Sequence, residues 1–128
     1  MDEHDLTYQI RGAIYDTYNA LGPGLLEKVY EEVLSYYLVK RGLKVARQVS
    51  VPIVIEGHKL SSDLRLDILV EDKIIIELKS VEEMRPVFHS QILTYLKLMK
   101  LHRGILVNFN TVDINHSRWM KVNGYLKD

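Results

Sequence analysis

Apolar residues recur at helical spacing in three segments of the chain. The spacing predicts helices over about Asp5 to Leu21, Leu25 to Arg41 and Pro86 to Leu101. A Gly-Pro-Gly sequence at residues 22–24 separates the first two, because glycine and proline break a continuous helix. The third helix is expected to begin at its proline, since the first turn of a helix does not need the missing N–H.

Other segments are rich in β-branched residues, which is typical of strands. The predicted strands are Val45 to Ile55, Leu64 to Val70, Ile74 to Lys79 and Gly104 to Phe109, with another expected near Trp119 to Val122. Pro52 predicts an edge position for the first strand. Residues 56–59 are interpreted as a turn, and residues 71–73 as the loop of a hairpin.

The predicted order is helix, helix, strand, strand, strand, helix, strand. This order favours an α/β or α+β fold in which helices flank a mixed central sheet. The third and fourth strands are joined through a helix, so they are expected to be parallel. A chain of 128 residues without repeats or linker-like segments suits one domain over residues 1–128.

Composition excludes some classes of function. The chain has no cysteine, which rules out disulfides, zinc–thiolate sites and a cysteine nucleophile. No apolar run approaches the roughly 20 residues of a membrane span, and the acidic N-terminus has no hydrophobic signal core. A cytoplasmic protein without a membrane partner is therefore expected. The chain has 17 basic residues (lysine and arginine) and 17 acidic residues (aspartate and glutamate). This balance counts modestly against a large phosphate-binding surface.

The predicted hairpin carries the most informative polar residues. Glu77 and Lys79 are two apart on a strand and therefore share a face. If residues 71–73 form a three-residue loop, Asp67 lies opposite Glu77 and joins that face. A two-residue loop would place the two carboxylates on opposite faces, so the register decides whether a site exists.

Two facing carboxylates repel each other unless a cation lies between them. Such oxygen ligands suit Mg²⁺ or Mn²⁺, which retain waters and bind phosphate. Lys79 could then stabilise charge at a reacting phosphate, and phosphodiester hydrolysis fits these residue types best. The alternative is a solvated strand face with ordinary cross-strand charge pairs.

Two further clusters lie on predicted helices. Glu27 and Tyr30 are three apart after Gly24, so Glu27 could be a metal ligand, or could only favour the helix dipole. Gln91 and Tyr95 are four apart and could contact a phosphate or a water. Alternatively, Tyr95 packs in the core with Gln91 at its rim.

A basic group follows the third helix and includes Lys97, Lys100 and Arg103. These residues could contact a nucleic-acid backbone. They could equally be the solvated end of a helix.

Taken together, these segments resemble the GxxExxY family of the PD-(D/E)XK nuclease superfamily. The resemblance extends from about Leu6 to Arg118. Its motifs occur in family order: Gly24-Leu-Leu-Glu27-Lys-Val-Tyr30, Arg65-Leu-Asp67, Glu77-Leu-Lys79, Gln91 with Tyr95-Leu-Lys97, and Asn108-Phe109.

The resemblance implies a restriction-endonuclease-like αβββαβ core and a Mg²⁺- or Mn²⁺-dependent nuclease whose expected substrate is DNA, with RNA as the alternative. It implies that Asp67 and Glu77 bind metal with support from Glu27, and that Lys79 is the catalytic lysine. Gln91 and Tyr95 match the QxxxY element of RecB-like nucleases. Two alternatives remain open: a binding module that keeps the fold without useful turnover, and a homodimer formed through the tyrosine-rich first two helices.

Overall fold

The computed structural model describes residues 1–62 and 64–124. The helices are α1 (Glu3–Leu21), α2 (Glu27–Lys40) and α3 (Pro86–Met99), with a short 3₁₀ turn at Ile114–His116. The strands are β1 (Val45–Val51), β2 (Val54–Ile55), β3 (His58–Lys59), β4 (Leu64–Val70), β5 (Ile74–Lys79), β6 (Arg103–Asn108) and β7 (Arg118–Val122).

The helix ends differ from their predicted positions by about two residues. Helix α1 begins early because the Asp2 carboxylate accepts a hydrogen bond from the Asp5 N–H at 2.8 Å and caps the helix. Helix α2 begins two residues late, because Leu26 has an extended backbone. Helix α3 begins at Pro86 as predicted, and it ends where Lys100 adopts a left-handed conformation.

A five-stranded sheet forms the centre of the fold, in the order β1-β4-β5-β6-β7. Strands β5 and β6 are parallel, as the helical connection predicted, and the other neighbouring pairs are antiparallel. Helices α1 and α2 cover one face, and α3 covers the other. This arrangement confirms the predicted α/β class and its restriction-endonuclease-like mixed sheet.

The prediction of one long strand from Val45 to Ile55 is wrong. Strand β1 ends at Val51, because Pro52 has no N–H to continue the ladder. The chain then forms a separate hairpin of β2 and β3, so the predicted turn over residues 56–59 is shorter. Glu56 and Gly57 both have positive φ, 49° and 80°, which is the geometry of a two-residue hairpin turn.

The two faces of the sheet are packed with apolar side chains. Buried residues of α1 and α2 meet one set of sheet residues, among them Ile68, Ile76 and Val107. Buried residues of α3 meet a second set, which includes Ile75 and Leu106. Alternate residues of β5 therefore face opposite layers, and this alternation fixes which face Glu77 can occupy.

The tyrosines of the first two helices divide into two groups. Tyr30 is fully buried, whereas the side chains of Tyr8 and Tyr36 are 65% and 61% exposed. The two exposed rings are compatible with a homodimer interface, but a homodimer stays a prediction. In the described part of the chain, no helix combines the length and apolar character that crossing a membrane requires.

Candidate active site

The hairpin of β4 and β5 brings the two predicted carboxylates together. Val70 pairs with Ile74 across a three-residue loop, as the favourable register required. The Asp67 N–H donates to Glu77 Oε2 at 2.7 Å, and the Leu78 N–H donates to Asp67 Oδ2 at 2.8 Å. Each carboxylate therefore accepts a hydrogen bond from the backbone of the opposite strand, and this exchange holds both side chains at the same level of the sheet.

Burial makes the negative charges on this pair costly. Glu77 is 4% exposed. Desolvation raises the pKa of Glu77 to about 8, with repulsion from Asp67 as the next cause. Desolvation also raises the pKa of Asp67 to about 6, and the negative charges of Glu31 and Glu27 add to the effect. Without a cation, the fold therefore favours at least one protonated carboxyl group near neutral pH.

Lys79 lies at the end of β5 on the same face as Glu77. Its charge lowers the pKa of both carboxyl groups, but burial and acidic neighbours outweigh it. The Lys79 Nζ lies 4.5 Å from the centre of the Phe88 ring, at the start of α3. A cation over an aromatic face is attracted to the ring, so Phe88 restrains the ammonium beside the carboxylates. Sequence reasoning missed Phe88 because its distance from Lys79 along the chain gives no pattern.

The motif of Gly24, Glu27 and Tyr30 forms the loop before α2 and the first turn of that helix. The Tyr30 hydroxyl donates to the Gly22 carbonyl at 2.6 Å and accepts from the Leu25 N–H at 3.2 Å. Its ring stacks on Phe109 at 4.7 Å between centroids. Tyr30 thus fixes the loop that contains Gly24, whose φ of 96° suits glycine.

Glu27 is the first residue of α2 and is exposed. It lines a cleft of about 330 Å³ together with Asp67 and Leu78. The negative charge of Glu27 raises the pKa of both Asp67 and Glu77. The structure therefore places Glu27 within electrostatic reach of the pair, at the mouth of the site rather than in its centre.

Glu31 is a site residue that the sequence analysis missed. It is buried, lines the same cleft and raises the pKa of Asp67 more than Glu27 does. Glu31 Oε2 accepts from Arg47 Nε and Nη2 at 3.1 and 3.0 Å. The signal was available in the sequence, because Glu31 follows Glu27 by four residues and therefore shares its face of α2.

Gln48 binds the other oxygen of Glu31. Its Nε2 donates to Glu31 Oε1 at 2.6 Å. Gln48 lies between Arg47 and Val49, whose partners Ile68 and Leu66 flank Asp67. Its φ is 51°, a conformation that costs a non-glycine residue of order 1 kcal/mol or more. This backbone distortion interrupts β1 directly opposite Asp67, beside the cleft.

Helix α3 contributes Tyr95 and Gln91 to the same face of the sheet. Tyr95 is 5% exposed and packs in the core with Ile92 and Leu96. Burial raises its pKa, and the negative charges of Glu77 and Asp67 raise it further. Gln91 is half-buried and interacts with the Tyr95 phenol, opposing that rise. The charges of the two carboxylates therefore affect the pKa of the Tyr95 phenol, while most of the ring packs in the core.

Comparison with known proteins agrees with this geometry. A sequence profile of the PD-(D/E)XK nuclease superfamily matches residues 4–121. The chain belongs to this superfamily. The crystal structure of SSO0001 is similar, with a TM-score of 0.58, 21% sequence identity and coverage of 75% of this chain. The present chain spans 50% of the length of that one, and the likeness concerns the fold alone. No curated protein matches this chain.

Nucleases of the PD-(D/E)XK superfamily generally use divalent metal ions. The residues of this member fit such an ion. Asp67 and Glu77 supply hard oxygen ligands. Burial is the main cause of their raised pKa values, and neighbouring acids raise them further, so a bound cation would relieve both effects. Within the described residues, the hydrogen bonds of the pair engage Glu77 Oε2 and Asp67 Oδ2, which leaves the second oxygen of each carboxylate for a ligand. Within the same residues, no third acid or histidine joins them in a ready-made ligand cluster.

The predicted basic group of Lys97, Lys100 and Arg103 lies away from the carboxylate pair in this superfamily member. Arg103 pairs with Ile74, at the opposite end of β5 from Lys79, about 16 Å along the strand at 3.3 Å per residue. It forms an ion pair with Glu3 at 3.4 Å. Lys97 and Lys100 lie at the adjoining end of α3. The structure does not bring these three residues to the carboxylates, and their contact with phosphate remains a prediction.

Proposed function

We propose that this chain is a divalent-metal-dependent nuclease that hydrolyses phosphodiester bonds, with DNA as its preferred substrate. The observation that carries the proposal is the buried pair of Asp67 and Glu77, each bonded to the other's strand, with Lys79 on the same face. A structural carboxylate pair of this kind would be destabilising without a cation. The motif order further supports membership of the GxxExxY family.

In this proposal, Asp67 and Glu77 hold the ion through their available oxygens. Glu27 and Glu31 contribute negative charge from the cleft wall. A bound Mg²⁺ or Mn²⁺ supplies positive charge and makes a bound water more acidic. Glu77→Gln should therefore weaken metal binding, because an amide oxygen carries no net charge to attract a divalent ion.

Lys79 acts on the substrate rather than on the ion. In this proposal its ammonium, which lies over the Phe88 ring, contacts a non-bridging oxygen of the scissile phosphate. In hydrolysis, a water oxygen bonds to phosphorus as the bond to the leaving sugar oxygen breaks. The water loses a proton, and the leaving oxygen gains one. Lys79 stabilises the charge that develops on the phosphate during this exchange. Gln91 and Tyr95 support the site from α3.

Cleavage assays with matched variants test the proposal. Single-stranded, double-stranded and branched DNA, and single-stranded RNA, are incubated with Mn²⁺ or Mg²⁺. Lys79→Met is expected to reduce cleavage at least a hundredfold, consistent with losing one preorganised charge at a reacting centre. Lys73→Met, in the loop of the same hairpin, is expected to leave it unchanged. Equal activity of the two variants would contradict the assigned role of Lys79.

A binding module with the nuclease fold is the second candidate. It is favoured by the formal net charge of zero and by the lack of a three-residue ligand cluster in the described ranges 1–62 and 64–124. Binding of DNA without cleavage on any of these substrates, in either metal, would support this alternative and overturn the enzyme.

A further inference from the structure

A second cluster of polar groups lies between α1 and β7, away from the carboxylate pair. A pocket of about 100 Å³ is lined there by Arg11 of α1 and Arg118 of β7, with apolar residues Ile14, Ile105 and Met120. Strand β7 is two positions along the sheet from β5, which carries Glu77, and three from β4; these correspond to about 10 Å and about 14 Å at 4.8 Å per strand. The pocket is therefore separate from the site that contains Asp67.

Both arginines present an unpartnered nitrogen here. The Nε atoms of Arg11 and Arg118 are buried and have no hydrogen-bond partner. The Arg118 Nη2 donates to the Tyr15 hydroxyl at 2.8 Å, and its guanidinium lies 5.4 Å from the same ring. Tyr15 in turn bonds to Asn115, so Arg118 is held in place from one side only. A buried donor without an acceptor is unfavourable, so each guanidinium has hydrogen-bonding capacity that the described chain leaves unused.

No acid in the described ranges forms an ion pair with either arginine. Along α1, the positions three and four residues from Arg11 hold Thr7, Tyr8, Ile14 and Tyr15, none of which is acidic. The pocket is consequently a local concentration of positive charge in a chain whose net charge is zero.

We propose that this pocket binds a phosphate dianion, either inorganic phosphate or the terminal monoester of a nucleic-acid end. Two guanidinium groups neutralise two negative charges, and their planar donors match tetrahedral oxyanions. A terminal phosphate has a second pKa near 6, so it is a dianion at neutral pH, whereas an internal phosphodiester carries one charge. The pocket volume of about 100 Å³ is comparable to that of one phosphate group and smaller than that of a nucleoside.

Calorimetry with inorganic phosphate tests this site at pH 7.5 in EDTA and low chloride. Wild-type protein is expected to bind one phosphate per chain. Arg11→Met and Arg118→Met should each weaken binding at least tenfold, while Lys40→Met, on exposed α2 surface, should not. Asp67→Asn should also bind normally, which separates this site from the nuclease proposal.

Arg11→Met is the decisive variant, because its guanidinium makes no bond within the described chain that the substitution would break. Its Tm without phosphate is expected to equal or exceed that of the wild type. A second titration compares a 5′-phosphorylated dinucleotide with its unphosphorylated form. Binding of the phosphorylated form identifies a nucleic-acid end, and binding of inorganic phosphate alone identifies the free anion. Absence of phosphate binding, or undiminished binding by both arginine variants, would overturn the proposal.

Discussion

Replacing Glu77 by glutamine should stabilise the metal-free protein, although it removes a residue proposed to bind metal. Glutamine keeps the side-chain oxygen that accepts the Asp67 N–H, but it carries no charge. The pKa of Glu77 rises from an ordinary 4.5 to about 8 in the fold. At about 1.4 kcal/mol per pKa unit, the buried charge destabilises the fold at pH 8 by at most about 4–5 kcal/mol. We expect Glu77→Gln to recover about 2–4 kcal/mol of unfolding free energy at that pH.

The sign of the pH dependence follows from the raised pKa. Below about pH 4.5 the carboxyl group is protonated in both states and contributes nothing to the difference. Between that pH and about 8, the unfolded state has released the proton that the folded state retains, so stability falls as the pH rises. The advantage of Glu77→Gln should therefore be small at pH 4.5 and should grow to its full value above pH 8.

Urea denaturation in EDTA, followed by circular dichroism, measures this difference across the pH range. The denaturation midpoint should shift without a change in the slope that reports exposed surface. Glu82→Gln, on the exposed loop after β5, is the matched control and should stay within about 0.5 kcal/mol of the wild type at every pH. A Glu77→Gln protein no more stable than the wild type at pH 8, or a gain independent of pH, would refute the reasoning.

Three further substitutions test how the site is built. Phe88→Leu should lower the cleavage rate about two- to tenfold with unchanged Mn²⁺ affinity, because Lys79 loses the aromatic face that restrains it. Rate assays beside metal titrations check this, and a parallel loss of affinity would contradict it. Tyr30→Phe should lower unfolding free energy by about 1–2 kcal/mol, since two hydrogen bonds to the loop before α2 are lost; an unchanged urea midpoint would contradict this. Arg47→Met should lower the free energy of unfolding by about 1–3 kcal/mol, because it removes the ion-pair partner of buried Glu31. Urea denaturation measures this loss, and an unchanged free energy would show that the ion pair does not stabilise the fold.

The hairpin register could be predicted because the sequence permits few alternatives. Asp67 and Glu77 share a face only with a three-residue loop, and the structure has that loop. The apolar neighbours of Glu77, Ile76 and Leu78, both pack in the layer beneath α1 and α2, and a shift of one residue would move them to the other face. The parallel pairing of β5 with β6 followed from the helical connection between them.

Other features depended on contacts that a linear pattern does not contain. The left-handed backbone of Gln48 is maintained by its place beside Asp67 and its bond to Glu31, not by local propensity. The split of the first predicted strand needed Pro52 to end the ladder, although the sequence analysis assigned that proline only to an edge. Arg103 appeared as part of a basic cluster, but its strand position places it at the opposite end of the sheet from Lys79.

A titration of Mn²⁺ into the wild-type protein at pH 7 tests the central claim most directly, when performed in two buffers of different ionisation enthalpy. Because the pKa of Glu77 is raised to about 8, the metal-free site holds a proton at this pH. We expect one Mn²⁺ to bind per chain with release of about one proton. Glu77→Gln should lose most of the affinity and the proton release, while Glu82→Gln should keep both. Binding without proton release, or equal Mn²⁺ affinity in Glu77→Gln, would contradict the assignment of Glu77 as a protonated metal ligand.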